Sequence, residues 1–92
     1  MTSSPRERND RLLLTAKYIQ SQGRSRPVDR DAVIGWVITT FGVSSWAAHS
    51  YIRDIVFRGW AFWRRGHLVT PADLILPELP EDRFNVPLKA SP

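Results

Sequence analysis

Leu12, Leu13, Ala16 and Ile19 fall on one side of a helical wheel, with Arg8, Arg11 and Lys17 mostly elsewhere. That spacing predicts a first helix over residues 6–22, stopped by Gly23. The next apolar run repeats Val33, Trp36, Val37 and Phe41 at helical intervals, and Ile34 and Ile38 widen its face. Its β-branched residues and Gly35 would also suit a buried strand. Asp29 as a cap, Asp31 in the first turn and Gly42 at the end favour a second helix. Gly42-Val43-Ser44 then breaks the chain, with Gly42 suited to a left-handed helix end and Ser44 to capping the next helix. Ala48, Tyr51, Ile52 and Ile55 follow an i, i+3, i+4, i+7 pattern, predicting a third helix over Ser45–Arg58 that stops at Gly59. Two helices joined by a three-residue, glycine-containing turn make a helix-turn-helix.

The connecting segments have their own signals. Arg24–Val28 contains Pro27 and reads as a loop or a very short edge strand. After Gly59, the runs Trp60–Trp63 and Leu68–Thr70 flank Arg64-Arg65-Gly66-His67, which predicts a β-hairpin with arginines at its tip. Thr70 as cap and Pro71 at the first helical position suit a short fourth helix. Prolines at 77, 80, 87 and 92 mark an extended or disordered tail. The expected organisation is a leader at 1–5, one domain over 6–76, and the Pro-rich tail over 77–92. Trp36, Phe41, Trp60 and Phe62 are the simplest core aromatics. Trp63 alternates with Phe62, so one of the two is expected at the surface.

Composition narrows the class. Ninety-two residues suit one domain, and a core this small leans on its four Trp, four Phe and two Tyr. The absence of cysteine excludes disulfides and thiolate metal sites and fits a reducing compartment. No apolar stretch approaches the ~18 residues of a membrane span, and the first residues lack a secretory pattern. These features imply a cytoplasmic protein with no membrane partner. The net charge of +4 is uneven, with +6 over residues 1–70 and −2 over 71–92. A basic body favours polyanionic partners without identifying them.

Catalytic chemistry has little support. His49 and His67 have no second ligand at useful spacing, and Ser45 with His49 lacks an acidic orienter or an oxyanion feature. No phosphate-cradling loop is present. The expectation is a non-enzyme with no cofactor and no metal.

The segment RPVDRDAVIGWVITTFGVSSWAAHSYIRDIVFRGWAFWRRGHLVT (residues 26–70) resembles the winged helix-turn-helix superfamily of small prokaryotic, archaeal and viral regulators. The Gly42-Val43-Ser44 turn carries the resemblance, as do Ile52 and Ile55 three apart, Gly59-Trp60 leading into the hairpin, the basic tip Arg64-Arg65-Gly66, and Thr70-Pro71. It implies a mainly α fold with a small β-hairpin, in the order helix, short strand, helix, helix, hairpin. It also implies binding of double-stranded DNA, with the third helix in the major groove and the hairpin, or wing, on backbone or minor groove.

With the Ala48/Tyr51/Ile52/Ile55 stripe inward, Ser45, Trp46, His49, Ser50 and Arg53 point outward. Arg53 suits a guanine edge or a phosphate, and Ser44, Ser45 and Ser50 suit phosphate or base-edge hydrogen bonds. The plainer alternative is a solvated helix face. Trp46 could meet a thymine methyl or a sugar, but folding back as core is the simpler assignment. Arg64 and Arg65 are wing contacts, or merely a basic turn tip. Arg24, Arg26 and Arg30, with Lys17, would add non-specific backbone contacts. Regulators of this type usually pair as homodimers, for which Leu12-Leu13-Leu14 and residues 74–79 are the candidate joints. The rival function is a protein-protein interaction module within a larger assembly, because fold does not fix function.

Overall fold

The computed structural model describes residues 5–23 and 26–78. Three helices, α1 (Pro5–Ser21), α2 (Arg30–Phe41) and α3 (Ser45–Phe57), are followed by an antiparallel hairpin of β1 (Phe62–Arg64) and β2 (His67–Val69). Among the described residues, no helix is long and apolar enough to cross a membrane.

The helix boundaries follow local chemistry. Ser44 caps α3, its hydroxyl accepting the Ala47 N–H at 3.1 Å. Asp29 precedes α2 without any side-chain cap; only its carbonyl joins the helix, accepting from Val33 at 3.2 Å. α2 stops where the Gly42 N–H donates to the Ile38 carbonyl. At the end of α3 the N–H of Trp60 reaches the Ile55 carbonyl and that of Gly59 reaches Val56. This Schellman closure needs the left-handed conformation that Gly59 adopts at φ 79°.

The three helices bury one core. Leu12, Ala16 and Ile19 of α1, Val33 and Val37 of α2, and Ala48 and Ile55 of α3 are fully shielded from water. Each large aliphatic side chain among them contributes about 1.5–3 kcal/mol by leaving water. Leu12, Leu13 and Leu14 are all buried within this single chain, so they cannot serve as the dimer joint expected from their apolarity.

A two-stranded hairpin is marginal alone, and this one is anchored twice. Leu68 is wholly buried in the helical core. Its backbone also exchanges hydrogen bonds with Val28 at 2.7 and 2.9 Å. The strand expected over Arg24–Val28 is therefore reduced, among the described residues, to that single bridge; Arg24 lies outside them. The expected fourth helix is absent too. Pro71–Leu74 forms only a turn, closed by the Leu74 N–H on the Pro71 carbonyl. Thr70 caps nothing: it is fully buried and its hydroxyl has no hydrogen-bond partner. Leu76 packs into the core while Ile75 stands exposed, and the Pro-rich tail beyond 78 lies outside the described residues.

The large aromatics line the rim of the core. Tyr18 of α1 stacks on Trp36 of α2 with centroids 4.4 Å apart, Trp36 meets Phe41 edge-on at 5.6 Å, and Phe41 meets Tyr51 of α3 at 6.3 Å. Arg11 lies over Phe41 and Arg8 over Tyr51, so this row ties all three helices under a cationic cover. Trp60 is half-buried beneath Arg58. Phe62 departs from its expected core role and is exposed, as is Trp63. The whole of β1 sits at the surface.

Candidate nucleic-acid interface

The inward stripe of α3 fixes what its outer face can present. Ala48, Tyr51, Ile52 and Ile55 are buried, so residues 45, 46, 49 and 53 must face away from the core, and all four are exposed. Trp46 is 78% exposed, which overturns its assignment to the core. Nothing on α2 or the hairpin covers it, since it sits in the first turn of α3, at the outermost angle of the helix.

Ser50 does not belong to this face. Its hydroxyl donates to the Ala47 carbonyl at 2.8 Å and accepts from the Arg8 guanidinium at 3.3 Å. Arg8 also pairs with Asp54 at 2.7 Å. This α1–α3 clasp occupies the flank of α3 that Ser50 shares, so Ser50 is withdrawn as a contact candidate. The clasp is half-exposed and contributes little net stability. It does hold an acidic side chain of α3 in a neutralising contact beside the outer face.

The opposite flank of α3 forms a small open cleft with α2 and the hairpin. Arg30, His49, Arg53 and Trp63 line it above Ile52 and Val56, enclosing about 200 Å³. Trp63 comes from β1, where it is paired with the buried Leu68. Cross-strand partners share a face of the sheet, so Trp63 leans toward the helices yet remains 46% exposed at the rim. Arg30 keeps an ion pair with Asp31 at 3.5 Å, both exposed.

The hairpin tip makes a second basic surface. Arg65 and Gly66 have φ of 52° and 81° and link Arg64 to its partner His67. Two positive φ values in a two-residue loop are the signature of a type I′ turn, whose twist matches that of the strands. Arg65 is the only described non-glycine residue with positive φ. Arg64 lies over the Phe62 ring at 5.5 Å, and the His67 Nδ1 is 3.2 Å from the Arg65 carbonyl. Arg64, Arg65 and His67 border a hollow of about 720 Å³ with Pro27.

Arg26 stands apart from both groups. It borders a hollow with Tyr18, Gln22 and Asp29 between α1 and α2, and its stem lies against Gly23. Arg24 lies outside the described residues. Of the expected contacts, Arg30, His49 and Arg53 thus meet at one cleft, Arg64 and Arg65 form its neighbour on the hairpin, and Ser44, Ser45 and Trp46 lie at the start of α3.

Protein-family models, curated proteins and solved structures offer no match to this chain.

Two features of the site carry no local sequence signal. Trp63 joins Arg53 only through the return of the hairpin onto α3, and Arg8 meets Asp54 across 46 positions of chain. Alternation along the strand did place either Phe62 or Trp63 at the surface; both are there.

Proposed function

We propose that the chain is a winged helix-turn-helix protein that binds double-stranded DNA and regulates transcription. Ser45, His49 and Arg53 on the outer face of α3 read the major groove, and the Arg64-Arg65 tip of the wing holds backbone or minor groove. The observation that carries this reading is the convergence of Arg30, His49 and Arg53 on one cleft beside the basic hairpin tip. Arg30 of α2 and the arginines of the hairpin thereby join Arg53 on a helix whose inner face is committed to the core. A symmetric homodimer remains part of the proposal, with a joint elsewhere than the buried leucines of α1.

Exposed Trp46, Phe57 and Trp63 favour a second reading, in which the same face docks a protein. Fluorescence anisotropy of a labelled mixed-sequence duplex, titrated over a salt series, separates the two. If Arg30, Arg53, Arg64 and Arg65 each neutralise a phosphate, affinity falls about 150-fold between 50 and 200 mM salt. Arg53→Ala and the Arg64→Ala/Arg65→Ala pair both weaken binding further. Absence of binding at low salt refutes the DNA reading of this chain and leaves the protein-docking one.

A further inference from the structure

The four tryptophans divide into two pairs. Trp36 and Trp60 pack against the core, whereas Trp46 and Trp63 present their rings to solvent. Trp46 is 78% exposed and Trp63 46%, while Val33, Val37, Ile55 and Leu68 are fully buried. Trp63 lies among cations: it shares its cleft with Arg30 and Arg53, and Arg64 and Arg65 follow it along the hairpin. Trp46 stands on the outer face of α3, two turns before Arg53.

An indole ring has little to hold on an intact duplex. The faces of paired bases are hidden in the stack, and the grooves offer edges, sugars and thymine methyls. An unpaired base exposes its π face, and stacking it on an aromatic side chain strengthens binding about 5- to 150-fold per base. The cleft at Trp63 encloses about 200 Å³, below the roughly 300–1,000 Å³ typical of pockets for drug-sized ligands. Such a cleft has room for one planar ring, with two guanidinium groups at hand for the adjoining phosphates. A protein partner would use the same aromatic surface, but the surrounding positive charge complements a nucleic-acid strand.

We propose that this face prefers DNA carrying unpaired bases beside duplex, as in a bubble, a gap or a single-stranded tail. One base stacks on Trp63 in the cleft and a second on Trp46, while Arg64 and Arg65 hold the neighbouring duplex backbone. The proposal rests on the DNA-binding reading above and narrows its substrate.

The test compares three labelled DNAs with the full chain: a duplex, the same duplex with a central unpaired bubble, and its single strand. Wild type is expected to bind the bubble at least about tenfold tighter than the duplex, with tryptophan emission quenched. Trp63→Phe keeps a π face and most of that preference. Trp63→Leu keeps an apolar side chain but no π face, and its ratio of bubble to duplex affinity falls toward one. Trp46→Leu, at a position more exposed than Trp63, shows the same loss to a smaller degree; thermal melts confirm that each variant folds. Equal affinity for bubble and duplex, or a preference that survives Trp63→Leu and Trp46→Leu together, overturns the stacking proposal and leaves DNA binding standing. Failure to bind any of the three DNAs overturns both.

Discussion

Arg65 carries a charge at a backbone position that disfavours its side chain. It takes the first of the two central positions of a type I′ turn at φ 52°, where a residue with a Cβ loses about 1–2 kcal/mol to the clash with the following carbonyl. Asn tolerates this conformation because its short amide hydrogen-bonds the local backbone. Arg65→Asn is therefore expected to stabilise the protein by about 1 kcal/mol, raising Tm by roughly 4–8 °C for a domain of this size. Arg65→Gly removes the same clash but frees the unfolded chain, which gives back about 0.5–1 kcal/mol. Arg65→Ala keeps the strain and loses only the charge. If the tip holds a phosphate, all three substitutions reduce the slope of log affinity against log salt by about 0.9. Urea unfolding followed by tryptophan emission, with anisotropy titrations over a salt series, measures both quantities. A loss of stability in Arg65→Asn would refute the strain argument, and an unchanged salt slope would remove the tip from the interface.

Three further outcomes follow from the packing. Thr70 is fully buried and its hydroxyl lacks a partner, so Thr70→Val, of nearly the same shape, is expected to gain about 1 kcal/mol in urea unfolding; destabilisation would mean that the hydroxyl is satisfied after all. Gly35 is exposed within α2 and a Cβ there meets nothing within 4 Å, so Gly35→Ala should raise stability by up to about 1 kcal/mol, read as a higher Tm. Leu68→Ala empties the buried anchor of the hairpin and should cost about 2–5 kcal/mol in the same unfolding measurement. A smaller loss would show that the Val28 bridge holds the hairpin without that side chain.

Most of the element order was legible along the chain, because each signal acts within a few residues. The i, i+3, i+4, i+7 stripe of α3 is the face that becomes buried, and Ser44 caps that helix through its own hydroxyl. Gly59 permits a left-handed closure in any context, and Arg65-Gly66 forms the hairpin turn between short strands. Where two local signals conflicted, only packing settled the outcome. Asp29 and Thr70 both look like caps, yet the first makes no side-chain bond and the second is sealed inside the core.

The candidate site was legible only in part. Helical periodicity alone put His49 and Arg53 outward, since their angle on α3 follows from the buried stripe. Ser50 points as far from the buried stripe as Arg53 does, and its engagement on the opposite flank required Arg8, a residue 42 positions away whose reach depends on how α1 crosses α3. Trp46 is apolar enough to belong to a core, but its place opposite the buried stripe of α3 leaves it 78% exposed. Trp63 became a wall of the Arg53 cleft because Leu68, its cross-strand partner, is drawn into the helical core. Local sequence determined the helices, their ends and the turn. The tertiary structure decided which exposed groups stand together, because such neighbours are set by the crossing of helices and the docking of the hairpin, through contacts between residues distant in the chain.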